Sequence, residues 1–166
     1  MIAKCCIHYL RLEEFESWDF SSLDSETMKS QHRFLAYAAY YWTQHYDDYD
    51  QNILFDVALD LCKPTSIYHN AWTMILRSCA AEQGINKSAS MYGWSALMVA
   101  TRFGFNSMIG KLLEEGENPG AKSLYKGQMA LHIAAEYGHS LVAKTLLDAK
   151  STPDLSTEDI SHALSK

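Results

Sequence analysis

No stretch of this chain approaches the roughly 18 consecutive apolar residues that a membrane-spanning helix needs. The opening MIAKCCIHYLRLEEFES acquires charge too early and is too short in apolar residues to read as a secretory leader. Four cysteines occur, Cys5, Cys6, Cys62 and Cys79, with no Cys-x-x-Cys pair to begin a zinc site, and the adjacent Cys5 and Cys6 are poorly placed to bridge one another. Reduced, core-filling thiols are expected. The 14 Lys and Arg residues are scattered against 20 Asp and Glu, giving a net charge of -6 and no basic stripe for a phosphate backbone. No Gly-x-x-x-x-Gly-Lys-Ser/Thr phosphate loop, no Gly-x-Ser-x-Gly elbow and no Cys-His constellation with a supporting motif is present. These absences point to a cytoplasmic protein that is not an enzyme and has no cofactor, metal, nucleic acid, membrane or small-molecule substrate.

What is abundant is apolar and small. Hydrophobic residues make up 48% and charged residues 20% of 166 residues, enough for one cored domain or a short repeat array. The segment GQMALHIAAEYGHSLVAKTLLDA, residues 127–149, has a partner 34 residues earlier, GWSALMVATRFGFNSMIGKLLEE, residues 93–115. Without a gap, Gly93 falls on Gly127, Ala96 on Ala130, Leu97 on Leu131, Ala100 on Ala134, Gly104 on Gly138, Leu112-Leu113 on Leu146-Leu147, and Pro119 on Pro153. A fixed period of this size marks stacked units, none of which can bury its apolar face alone. Each copy reads as a short helix with a small-residue face, a turn at Gly104 or Gly138, a second helix ending near Leu113 or Leu147, and a loop that proline keeps from continuing it.

The second copy resembles an ankyrin repeat through Gly127, Leu131, His132, Ala134, Ala135, Gly138, His139, Leu146 and Leu147. The first is more degraded. Ser95-Ala96 stand for Thr-Pro, Met98 and Phe105 replace the two histidines, and Gly116 keeps the closing glycine, so a looser turn is expected there. A further shift of 34 puts Ser161 and Leu164-Ser165 on the glycine and the Ala-Leu pair, which do not match; Thr157 is a candidate cap for one helical turn over 158–164.

The first half is helical by periodicity. Ser25 is a candidate cap for a helix carrying Phe34, Leu35, Ala38, Ala39, Tyr41 and Trp42. Ile53, Leu54, Val57, Ala58 and Leu61 line a second helix before Pro64, and Tyr68, Trp72, Ile75, Leu76 and Cys79 a third before Gly84. The expected fold is all-α, a helical N-terminal cap packed on a short ankyrin-repeat solenoid. Its parts are a segment and acidic linker over 1–25, a capping region over 26–90, two repeats over 91–154 (about 91–123 and 125–154), and a tail or truncated repeat over 155–166. Cys6, Tyr9, Leu10, Phe34, Leu35, Tyr37, Ala38, Ala39 and Trp42 also make this half similar to the region between the NACHT module and the ankyrin array of fungal NACHT-ankyrin proteins of the vegetative-incompatibility type.

Among the seven histidines, His132 and His139 occupy ankyrin positions that brace turns and neighbouring units, while His8 beside Cys5 and Cys6 lacks the further ligands a metal needs. His32, His45, His69 and His162 read as surface residues. Glu13, Glu14 and Glu16, like Asp47, Asp48 and Asp50, read as solvated acidic runs rather than an acid and base pair.

The ankyrin resemblance implies a protein partner recognised by turn tips and the exposed side of each first helix. The corresponding positions are Met91, Tyr92, Trp94, Arg102, Phe103 and Glu115 in the first copy. In the second they are Tyr125, Lys126, Gln128, Glu136, Tyr137 and Ala149. Tyr92, Trp94, Phe103 and Tyr137 are suited to one aromatic patch, with Trp94 equally suited to packing on the N-terminal helices. The leading expectation is a non-catalytic interaction module related to a fungal signalling receptor. The rival is an intramolecular spacer joining a nucleotide-binding module to a longer array, which would leave an apolar face exposed after Leu147.

Overall fold

The computed structural model describes residues 1–15, 33–46, 54–82, 91–124 and 126–149. All regular structure among them is helical: α1 (Ile2–Leu10), α2 (Arg33–His45), α3 (Phe55–Cys62), α4 (Ile67–Glu82), α5 (Ala96–Phe103), α6 (Asn106–Glu114), α7 (Ala130–Glu136) and α8 (Ser140–Ala149), with one 3-10 turn at Glu13–Phe15. The candidate caps Ser25 and Thr157, the acidic run 47–50, His32, His162 and the tail after Ala149 lie outside the described residues.

Two compact units divide near residue 91. In the first, α1 turns Ala3, Cys6, Ile7 and Leu10 inward, the three and four spacing that defines one helix face, and packs against α2. This helix lies in the stretch that periodicity alone left as an N-terminal segment. On α2 the buried stripe is Leu35, Ala38, Ala39 and Trp42, whereas Phe34 and Tyr41, which share its periodicity, stand 37% exposed. The spacing of apolar residues on α2 is dense enough to populate both faces, so it fixes the helix without saying which face is inside.

The turn between α3 and α4 follows from Pro64. The residue before a proline is pushed out of the helical region, and Lys63 is extended at φ -77°, ψ 118°. The last carbonyls of α3 then need partners. The carbonyl of Leu61 accepts the indole N–H of Trp72 at 2.7 Å and the Nδ1–H of His69 at 2.8 Å, both from α4. His69 is therefore buried, at 4% exposure, and not the surface residue the sequence suggested. Trp72 also meets Trp42 edge to face, centroids 5.4 Å apart, which ties α4 to α2 at the centre of this core.

The second unit holds both copies of the 34-residue pattern. Helices α5 and α6 form one antiparallel pair and α7 and α8 the next; α5 packs on α7 and α6 on α8. Ala96, Leu97, Val99 and Ala100 of α5 and Ala130, Ile133 and Ala134 of α7 are buried, so the small side chains sit where the two first helices approach. Each first helix ends in the same way. The N–H of Phe105 reaches the carbonyl of Ala100 and that of Gly104 reaches Thr101; His139 reaches Ala134 and Gly138 reaches Ala135. This pair of bonds needs a left-handed residue, supplied by Gly104 at φ 75° and Gly138 at φ 73°.

The first helices start differently. Ser95 caps α5, its Oγ accepting the N–H of Met98 at 3.3 Å. Met129 has no such oxygen, and there the third residue of α7 reaches back: Nδ1 of His132 accepts the N–H of Met129 at 3.1 Å. Each copy keeps the half of a capping box that the other has lost. The looser turn expected for the first copy is thus offset by Ser95, which retains the hydroxyl of the Thr it replaces.

Candidate protein-binding face

The turn leading into α7 is closed by Ser123. Its backbone N–H donates to the carbonyl of Gln128 at 2.8 Å, and its Oγ accepts the N–H of Gln128 at 3.1 Å. Leu124 at this tip donates its N–H to the carbonyl of Gly93 at 3.3 Å, so the tip of the second copy sits against that of the first. An added Cβ at Gly93, where φ is 75°, would come within 2.9 Å of Leu124 Cβ. Tyr92 is 67% and Leu124 82% exposed, two large apolar side chains held out at the tips. Leu124 was missed in the sequence because it falls one residue before the variable positions that the repeat pattern singles out.

Where α5 and α7 end, the structure brings three of the expected residues together. The guanidinium of Arg102 lies 5.6 Å from the centroid of Phe103 and 4.8 Å from that of Tyr137, and it donates to the Tyr137 hydroxyl at 2.6 Å. Phe103 stacks on the buried Phe105, and Tyr137 on His139. His139 in turn donates from Nε2 to the carbonyl of Arg102 at 2.9 Å. Gln128 and Glu136 are joined along α7 by a 3.3 Å hydrogen bond. Arg102, Phe103, Gln128, Tyr137 and Trp94 are half-buried; Glu115, Lys126, Glu136 and Ala149 are exposed.

Other expected residues are placed elsewhere. Met91 is buried at 3% exposure, so its side chain is not offered to a partner. Tyr125 lies outside the described residues. A separate row of aromatic residues marks the outer face of α2: Phe34 stacks on Tyr37, Tyr37 meets Tyr41, and the hydroxyl of Tyr37 is 2.8 Å from Nε2 of His45.

The described residues contain no group of three His, Cys, Asp or Glu side chains that could hold a metal ion. Burial, and secondarily the neighbouring Cys5, pushes the Cys6 thiol above its ordinary pKa, which suits a core side chain rather than a nucleophile. Burial likewise lowers the pKa of His69, partly opposed by its bond to the Leu61 carbonyl. Among the described residues no helix is long and apolar enough to cross a membrane.

The arrangement of α5 to α8 is that of two stacked helix–turn–helix units with their tips in register. One comparison with known proteins agrees. No curated protein and no solved structure matches the chain. The family model described as ankyrin repeats (3 copies) matches residues 66–159, beginning at the turn into α4 and so taking in part of the region read from sequence as a cap. That span is more than half of the sequence, and the chain belongs to the ankyrin-repeat family.

Proposed function

We propose that this chain is a non-catalytic interaction module that binds a protein partner on the face formed by the tips at Tyr92 and Leu124 and the C-terminal ends of α5 and α7. The observation that carries it is the Arg102 cluster. A guanidinium held between two rings and bonded to one of them has already lost much of the freedom that binding would remove. Arg and Tyr are also the side chains that most often dominate interface energies. The carboxylate of Glu136, one residue before Tyr137, is exposed and favours a partner with basic or hydrogen-bond-donating groups. Cytoplasmic action belongs to the same proposal.

The finer reading, kinship with fungal NACHT-ankyrin receptors, rests on the pattern shared by α1 and α2. Six of its nine residues, Cys6, Leu10, Leu35, Ala38, Ala39 and Trp42, are buried. Such a pattern serves packing in the first place, and its weight for kinship lies in Phe34 and Tyr37, which are exposed.

The test compares the wild-type chain with Arg102→Glu and with the triple change Arg102→Ala, Phe103→Ala, Tyr137→Ala in capture from extracts of cells that express it. Circular dichroism and urea midpoints verify that each variant is folded. Loss of the same bound protein from both variants is expected; undiminished capture by folded Arg102→Glu rejects this face.

A further inference from the structure

The two copies present the same arrangement with the charge reversed. Thirty-four residues separate Arg102 from Glu136 and Phe103 from Tyr137, so the end of each first helix carries a charged residue followed by an aromatic one. The charge is positive in the first copy and negative in the second. Each is held by a neutral partner. The guanidinium of Arg102 donates to the Tyr137 hydroxyl at 2.6 Å, and a carboxylate oxygen of Glu136 accepts the side-chain amide of Gln128 at 3.3 Å. Neither bond neutralises the charge that it positions. Glu136 is exposed, and Arg102, Phe103 and Tyr137 are half-buried.

Spacing decides what can meet both charges at once. Helices α5 and α7 pack side by side, and packed helices lie about 8 to 10 Å apart. A partner helix running across both helix ends advances about 10.5 Å in seven residues and returns to nearly the same face, since two turns take about 7.2 residues. An extended strand shows one face at every second residue, so its same-face positions fall at about 6.8 Å or about 13.6 Å and miss that interval. Of the two, the helix fits.

We infer that the partner segment is an α-helix carrying a carboxylate and, seven residues away, a lysine or arginine. The carboxylate meets Arg102 and the cation meets Glu136, while apolar side chains at the third and fourth positions between them meet the rings of Phe103 and Tyr137. Charge complementarity fixes the direction of the helix as well as its register, because the reverse direction would bring like charges together. The inference rests on the partner-binding face proposed above and adds to it the chemistry of the occupant.

The test uses labelled, alanine-rich helical peptides as probes of the full chain, read by fluorescence anisotropy. One peptide carries Glu and, seven residues on, Lys, with Leu at the third and fourth positions between them. The others carry two Glu, two Lys, or Glu and Lys five residues apart, a spacing that puts them on different faces of the helix. The wild-type chain is expected to bind the first peptide about two- to fivefold more tightly than the others, as exposed charge pairs allow. Arg102→Glu should transfer the preference to the two-Lys peptide, and Glu136→Lys to the two-Glu peptide, in variants whose fold is verified by circular dichroism. Glu136→Lys alters an exposed side chain and carries the test even where Arg102→Glu does not fold. Equal affinity for all the peptides, no measurable binding of any, or a rank order that the substitutions leave unchanged overturns the proposal. Each of those results leaves the partner-binding face itself to the capture experiment, which decides it separately.

Discussion

His139, at the start of α8, donates from Nε2 to the carbonyl of Arg102 in the last turn of α5, 2.9 Å away. The second unit thereby brings a donor to a carbonyl in the last turn of the preceding unit's first helix, where the regular intrahelical ladder runs out. His139→Ala removes the bond and the ring over Gly104. We expect a loss of about 1 to 2 kcal/mol in urea unfolding, with near-wild-type stability counting against a structural role for this contact.

The buried His69 makes stability depend on pH in a defined direction. Its folded pKa is lowered from 6.5, so the unfolded chain binds the proton more readily and folding is disfavoured as pH falls. The contribution is fully present above about 6.5 and is lost progressively below it. His69→Gln should flatten the fall in urea midpoint between about pH 7 and pH 5, read by the fluorescence of buried Trp42 and Trp72. Parallel pH profiles for wild type and variant would contradict this.

Ser95→Ala should destabilise by about 1 kcal/mol through loss of the α5 cap. Met129→Ala, at the equivalent position, has no cap to lose, and its cost arises from its buried side chain alone. Amide exchange separates the two: Met98 should exchange faster in Ser95→Ala, whereas the His132 amide should be unaffected by the loss of a hydroxyl that Met129 never had. Unchanged exchange at Met98 would show that the Ser95 bond is not formed in solution.

Leu131→Ala, at 6% exposure, should cost about 2 to 5 kcal/mol. Leu147→Ala, at 39% exposure, should cost well under half as much. Equal costs would place Leu147 in a core that these contacts do not describe.

The repeat was legible because its residues act locally. Gly104 and Gly138 end helices, and Ala96, Leu97, Ala130 and Leu131 set the small face, all within a few residues of one another in the chain. The Arg102, Phe103 and Tyr137 cluster was half legible: each residue sits at a variable position, but the meeting of Arg102 with Tyr137 is made across units, 35 residues apart. His69 was misread because a lone histidine carries no periodicity; its partner, a backbone carbonyl freed by Pro64, becomes visible only when α3 and α4 fold back on each other. Phe34 and Tyr41 stand outside the buried stripe because the apolar pattern on α2 continues around the helix, so periodicity does not say which face is inside.

The stacked pair of units is tested most directly by comparing Gly104→Ala with Gly138→Ala in the same urea experiment. Both place a side chain at positive φ, a strain of about 1 to 2 kcal/mol. At Gly104 the new methyl also collides with the His139 ring, whereas at Gly138 it meets nothing within 4 Å among the described residues. Gly104→Ala is expected to cost at least about 1 kcal/mol more than Gly138→Ala. Equal costs would contradict the seating of the second unit on the first.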